Sequence, residues 1–291
     1  MDAQVAVVGL GKMGSAIAER ILDAGYALSV FNRTASKAEP LVERGAARLA
    51  SPAEALQRAD VCVTMLADDQ AFEPVAAEIL GGARRGTTLI DMSTVSVAVS
   101  ERIARTAADA GVAYLRAPVS GNPGVVRAGN LTIVVSGPEE AAREHDSLLR
   151  SIGPNLYYLG DGDAARVVKL ALQVLIGGTA ELIAEALVLG ERAGVDRARL
   201  LEVIGNSAVG SPFVKYKTEP LLRDDYSATF TTAMMLKDVD LVLELAASKG
   251  VSLPLTRDLR ELLVEAAATD LADRDFMALY LRLSEQEGAI A

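Results

Sequence analysis

The chain has 291 residues, 51% of them hydrophobic, a net charge of −10, and five Phe, seven Tyr and no Trp among its aromatics. That length holds two domains with a sizeable core, and with no basic tract and no base-stacking surface the composition argues against nucleic acid as a partner. A single cysteine, Cys62, excludes an internal disulfide framework; it lies in the apolar run 61–66, which reads as a buried strand and suits a reducing cytoplasm.

The first predicted element is the strand Val5-Ala6-Val7-Val8, so close to the start of the chain that no signal peptide is expected. It leads directly into Gly9-Leu10-Gly11-Lys12-Met13-Gly14, and helical sequence follows from Ser15 to Leu22. A strand, a tight glycine turn and a helix starting on the last glycine set unpaired backbone amides at a helix N-terminus, which is a site for phosphate. A second strand over Tyr26–Phe31 closes a strand-helix-strand unit of about 30 residues. These six turn residues are therefore expected to bind a dinucleotide. The competing reading is a glycine-rich turn with no ligand.

The second strand runs into Asn32-Arg33-Thr34-Ala35-Ser36-Lys37. An NAD-preferring site usually carries Asp or Glu here to accept from the ribose hydroxyls, and no carboxylate is present. Arg33 offers a planar fork for a 2′-phosphate, Thr34 a hydroxyl and Lys37 a second positive charge, with Asn32 beside them. NADP(H) is therefore expected over NAD(H). The alternative is that Arg33 and Lys37 are solvated charges at a helix start, although the helix dipole mildly disfavours Arg there.

Strand-helix alternation continues, with strands predicted over 59–66, 87–91, 112–115, 131–136 and 156–159 and helices over 70–80, 97–110 and 139–151. The fold class is α/β, a Rossmann-like doubly wound sheet. After Gly160-Asp161-Gly162 only helices follow: a long one from Asp163 to about Arg192, then 196–207, 234–248, 255–269 and 276–285. The long helix would span about 45 Å. It is apolar on most faces and must be buried from several sides, and Gly177-Gly178 either bends it or admits another backbone. Glu181, Glu185 and Glu191 interrupt it, so no membrane segment is expected. Two domains result: an NADP-binding domain over 1–162 and an all-α domain over 163–291 for substrate and dimerisation, connected by the long interdomain helix. A helical domain with this much apolar surface commonly dimerises, so a homodimer or higher homo-oligomer is expected.

Hydride transfer at a carbonyl needs a proton donor at the oxygen, and the usual candidate, histidine, occurs once. His145 lies in the polar helix 141–146 and reads as a surface residue. Lys169, among Val167, Val168, Leu170 and Ala171, either snorkels at an edge or sits in a partly dry site where its pKa falls toward neutrality. Gln173 stands one helical turn on, sharing its face. In the loop Ala117-Pro118-Val119-Ser120-Gly121-Asn122-Pro123-Gly124, prolines and glycines fix the backbone and leave a hydroxyl and amides to bind a carboxylate or carbonyl oxygen. An ordinary ordered turn reads equally well. No metal site is assigned.

The glycine turn, Asp91-Met92-Ser93-Thr94, Pro118-Val119-Ser120-Gly121, Lys169 and Leu236-Lys237-Asp238, in this order and spanning nearly the whole chain, resemble the β-hydroxyacid dehydrogenase family, of which imine reductases are relatives. The resemblance implies that Lys169 is the general acid/base and that Ser120 with the Gly121 and Asn122 amides holds a small carboxylate-bearing substrate. It also implies that Gln173 stands where the family has a substrate-binding Asn. By the same resemblance Met13, Leu66, Ala67 and Thr94 line the cofactor cleft, Lys237 reaches it from the helical domain, and Phe230 walls the pocket. Four positions depart from the family's pattern: Arg116 replaces an Asp before Ala117, Asn122 a second glycine, and Leu172-Gln173 a paired Asn-Asn. These fall in the substrate loop and pocket, so the reaction type reads more clearly than the substrate.

Overall fold

The computed structural model describes residues 3–288; the expected domain limits at Met1 and Ala291 lie outside them. The chain divides into two compact units between Lys169 and Leu170. In the first, strands and helices alternate as β1 (Val5–Val8), α1 (Lys12–Asp23), β2 (Leu28–Phe31), α2 (Glu39–Glu43), β3 (Ala47–Arg48), α3 (Glu54–Arg58), β4 (Val61–Thr64), α4 (Asp69–Gly82), β5 (Thr88–Asp91), α5 (Val97–Ala110) and β6 (Ala113–Arg116). The six strands form one parallel sheet in the order β3-β2-β1-β4-β5-β6, the doubly wound arrangement. Strands β1 and β4 are unbroken apolar or small-polar runs because helices cover both faces of the sheet, and equally buried β5 departs from this only at its last residue, Asp91. Ile17 and Ile21 of α1 pack on one face, and Phe72 and Ile79 of α4 with Ile103 of α5 on the other. Helix starts carry side-chain caps: Asp68 accepts from the Ala71 amide and Ser96 from that of Val99.

The chain then leaves this sheet. β7 (Val119–Ser120), α6 (Pro123–Arg127), β8 (Thr132–Val135), α7 (Glu139–Glu144), α8 (Asp146–Ile152) and β9 (Asn155–Tyr158) follow, and β7, β8 and β9 make a separate three-stranded sheet, β7 antiparallel and β9 parallel to β8. The expected strands over 131–136 and 156–159 thus exist but belong to a second sheet, joined to the first by the single bridge Arg116↔Ser136. The break falls at Ala117-Pro118, where proline has no N–H for a ladder.

A second correction concerns His145. The expected helix over 139–151 breaks at this residue into α7 and α8, and the imidazole turns inward, 5% exposed, with its Nε2 enclosed and unpartnered. Burial pushes its pKa below the ordinary 6.5. The folded state therefore holds the ring neutral while the unfolded chain takes up a proton, so stability is full above pH 6.5 and falls as pH drops below it. Urea titrations at pH 7.5 and 5.5 are expected to show that loss, at up to about 1.4 kcal/mol per pH unit from this group. His145→Phe should flatten the profile in that interval.

The long helix α9 (Ala164–Arg192) runs unbroken through the division between the units. By length and composition it is apolar enough to cross a membrane, and 39% of its most apolar stretch is buried within the protein. In the second unit Ala180, Ile183, Ala184, Leu187 and Val188 of α9 join a core built by α10 (Arg197–Asn206), α11 (Pro212–Leu222), α12 (Thr232–Ser248), α13 (Pro254–Ala267) and α14 (Leu279–Gly288). The helix is continuous across the glycine pair. A side-chain carbon at Gly177 would stand 2.9 Å from Leu259 Cδ2, so Gly177 admits neighbouring side chains, not a backbone, and Gly178 has nothing within 4 Å. Helix α11 lacks a clear apolar stripe, so periodicity does not announce it. Its start is conventional, with Ser211 capping the Val214 amide ahead of Pro212, and it is fastened internally by Lys217, whose Nζ lies 2.7 and 2.8 Å from the carboxylate of buried Asp275.

Candidate active site

Helix α1 begins at Lys12, two residues before the last glycine of the turn, with Gly11 as its N-cap. The whole of Lys12-Met13-Gly14 therefore forms the first turn, where helix geometry gives the amides no acceptor one turn back. Gly9 has φ +100°, a left-handed conformation that favours glycine. A side-chain carbon at Gly14 would overlap the Gly9 carbonyl oxygen and stand 3.0 Å from the Gly9 carbonyl carbon. The turn is thus closed on itself by two glycines, one for backbone conformation and one for close approach.

Asn32 works within the fold: its Oδ1 accepts from the Leu10 amide at 2.9 Å and its Nδ2 donates to the Thr34 carbonyl at 3.0 Å. It holds the glycine turn and the β2 end in one piece. Arg33, Thr34 and Lys37 are exposed. Lys37 forms one wall of a cavity of about 410 Å³ whose other walls include Gly11, Lys12, Pro123 and Arg127. Three cationic side chains thus border the glycine turn in a chain of net charge −10. No carboxylate lines this cavity. First-turn amides, a glycine cradle and local positive charge fit a phosphate-bearing dinucleotide. Arg127, which also pairs with Glu19 at 2.8 Å, carries no mark of this role in the sequence; it reaches the cavity because α6 packs against α1, a tertiary fact with no local signal.

Leu66 and Thr94 are linked through Ser93: the Leu66 amide donates to Ser93 Oγ at 2.9 Å. Ala67 is exposed beside them. Ser120 ends β7, half-buried, and Gly121 follows with φ +145°, where a side-chain carbon would press on Leu131 and Val125. The Asn122 side chain is spent on capping α6, accepting from the Val125 amide at 3.0 Å; only its backbone is left for a ligand. Arg116 also turns out to be structural. Buried, it lies 3.0 Å from Asp163 through Nε and 4.7 Å above the Tyr114 ring.

Lys169 is 9% exposed near the N-terminal end of α9. In the second unit, Gln173, 3% exposed, donates its amide nitrogen to the buried Asp238 carboxylate, while its Oε1 is enclosed without a partner. Because a carboxylate only accepts, the atom facing it must be the nitrogen, which fixes the orientation of the amide. Lys237 Nζ lies 2.6 Å from Asp238 Oδ1, so Gln173 and Lys237 meet at one carboxylate that the sequence motif contains without a stated role. Phe230 packs edge-on against Phe276, centroids 6.0 Å apart, as part of the helical core.

Comparison with known proteins agrees with this geometry. Residues 4–160 match the family described as the NAD binding domain of 6-phosphogluconate dehydrogenase, and residues 163–283 that described as NAD-binding of NADP-dependent 3-hydroxyisobutyrate dehydrogenase. The chain is 32% identical to the chloroplastic glyoxylate/succinic semialdehyde reductase 2 of Arabidopsis thaliana over 94% of its own length and 78% of that protein. It belongs to the β-hydroxyacid dehydrogenase family. Among solved structures, 3-hydroxyisobutyrate dehydrogenase of Mycobacterium tuberculosis with L-serine superposes with a TM-score of 0.88 at 29% identity, covering 97% of this chain and 99% of that one. An imine reductase from a Pseudomonas species gives 0.66 at 26%, covering 97% and 100%. The chain is accordingly an NAD(P)-dependent oxidoreductase of the β-hydroxyacid dehydrogenase type, acting on CH–OH and C=O groups.

Proposed function

We infer that this family member is an NADPH-preferring reductase of small aldehyde or keto acids, or the reverse dehydrogenase of 3-hydroxy acids, with Lys169 as general acid/base. The observation that carries the reading is the buried amine of Lys169 at the family's position, in a chain whose single histidine is shut inside the α7–α8 junction. NADPH, when bound, supplies the hydride. The chain's own part is to hold the acid end of the substrate with the Ser120 hydroxyl and loop amides, and to pass a proton from Lys169 Nζ to the carbonyl oxygen. In the oxidative direction the neutral amine takes that proton back. Preference for NADPH is supported by Lys37 at the cavity, by exposed Arg33 and Thr34 earlier in the same segment, and by the lack of a carboxylate directly after β2.

Initial rates with NADPH and NADH against glyoxylate, succinic semialdehyde, methylmalonate semialdehyde, tartronate semialdehyde and a cyclic imine test cofactor and chemistry together. Turnover of one of the acids with NADPH is the expected result. The likeness to an imine reductase favours a second reading, which turnover of the imine alone would establish. NADPH binding with no turnover of any of the five would point instead to an interaction protein whose catalytic site has decayed.

A homodimer is supported by α9, where Leu175, Leu182 and Leu189 stand exposed at 65%, 64% and 74%, seven residues apart. Leucines at that spacing form one stripe of a helix, self-complementary to the same stripe of a second copy. Sedimentation should show a dimer for the parent chain and a monomer for Leu182→Glu; an unchanged mass for the variant would place the interface elsewhere.

A further inference from the structure

One turn before Lys169, α9 carries Arg166, 1% exposed and among the largest fully enclosed side chains of the first unit. Its Nη1 donates to the Ser93 carbonyl, and its Nη2 to Asp91 and, at 3.0 Å, to the Tyr114 hydroxyl. Asp91 in turn accepts on Oδ1 from Thr64 Oγ1 at 2.7 Å, Ser93 Oγ at 2.6 Å and the Ser93 amide at 3.1 Å. Ser93 Oγ accepts from the Leu66 amide. Burial works against the guanidinium charge, and the Asp91 carboxylate beside it outweighs that, so the group stays protonated.

The same helix end is fastened twice more. Asp163 accepts from Arg116 and from Ser100, and Ser136 Oγ accepts from the Ala165 amide while donating to the Gly162 carbonyl. Three sets of contacts thus fasten this helix end, and Tyr114 with Ser100 links the Arg166 set to the Asp163 set. Only the Arg166 anchor runs to the loops after β4 and β5 that carry Leu66 and Thr94.

We propose that Arg166 is a positioning residue that sets Lys169 at a fixed distance from the Leu66 and Thr94 loops. Residues three apart on a helix share a face, so the path Leu66–Ser93–Asp91–Arg166 continues into Lys169 with no flexible segment. A proton donor must be held within a fraction of an ångström of its acceptor to be effective, and an ion pair enclosed on all sides holds better than apolar contact, because any slippage strands a buried charge. The role rests on the reading of Lys169 as general acid/base.

The test is a double-mutant cycle in the full-length protein, with Arg166→Lys, Lys169→Ala and their combination, following carbonyl reduction and, separately, NADPH affinity by fluorescence. Arg166→Lys keeps the charge but cannot reach Asp91, Ser93 and Tyr114 together. It should lower kcat on the order of tenfold or more in the parent background, yet by less than about threefold in the Lys169→Ala background, where no amine is left to position. Single-turnover measurement at high enzyme concentration keeps the residual rate of the Lys169→Ala forms measurable. Tyr114→Phe, which removes one contact and keeps the shape, should give a smaller loss of the same pattern if Arg166→Lys fails to fold. Equal losses in both backgrounds, or no loss of kcat in the parent, would overturn the proposal. Full activity of Lys169→Ala would instead sink the reading of the lysine and leave the Arg166 network as framework only.

Discussion

Lys169→Ala lowers turnover of a carbonyl acid by on the order of a hundredfold or more while NADPH affinity stays near the parent value. The size follows from what the side chain is assigned: general acid catalysis by a positioned group contributes about 10²–10⁴-fold. Its one histidine is enclosed in the α7–α8 junction, and the other buried lysine, Lys217, is committed to Asp275 in the helical core. The fold should tolerate the change, since Lys169 lies in a helix and alanine is the best helix former. Stopped-flow measurement of NADPH consumption together with fluorescence titration of the cofactor separates the two effects. Normal turnover by the variant removes the lysine from the mechanism, and lost affinity with normal turnover would make it a cofactor ligand.

Gly14→Ala is expected to lower NADPH affinity by on the order of a hundredfold and to destabilise the protein by about 1–3 kcal/mol. The added methyl would overlap the Gly9 carbonyl oxygen, and on its other side the Met65 Cβ is only 3.4 Å away. Neither is the far end of a flexible side chain, so α1 must move outward from β1. Every first-turn amide offered to the cofactor shifts with it, and a displacement near 1 Å is enough to lose most of an oriented interaction. Gly81→Ala serves as the control, because it lies in α4, outside the glycine turn, and its added carbon meets nothing within 4 Å. Calorimetry with and without NADPH reads both quantities; an unshifted cofactor-induced stabilisation in Gly14→Ala would mean that the pyrophosphate does not lie on this turn.

The features legible in the sequence are those written in contiguous residues. The β1–glycine turn–α1 unit and the lack of an acid after β2 are local patterns, as is the unbroken apolar run of α9, and all three stand in the structure. What escapes a linear reading depends on partners far along the chain. Arg166 and Asp91 are 75 positions apart, and only the folded sheet brings them together. The transfer of β8 and β9 to a second sheet follows from a turn at Pro118 that leaves strand periodicity unchanged on either side. His145 sits in a polar stretch yet lies buried, because two short helices meet there and point its ring inward. Likewise no local pattern tells that the Asn32 side chain accepts from the Leu10 amide and so ties the end of β2 to the glycine turn.

Cys62 lies at the centre of β4, enclosed on every side, and burial with the nearby Asp91 charge pushes its thiol well above the ordinary range. The thiolate is the reactive form, so alkylating reagents and mild oxidants find nothing to attack in the folded chain. An introduced surface cysteine would therefore be the sole labelling position, and a spin or fluorescent reporter could be attached to either unit of the unaltered enzyme without first deleting a native thiol.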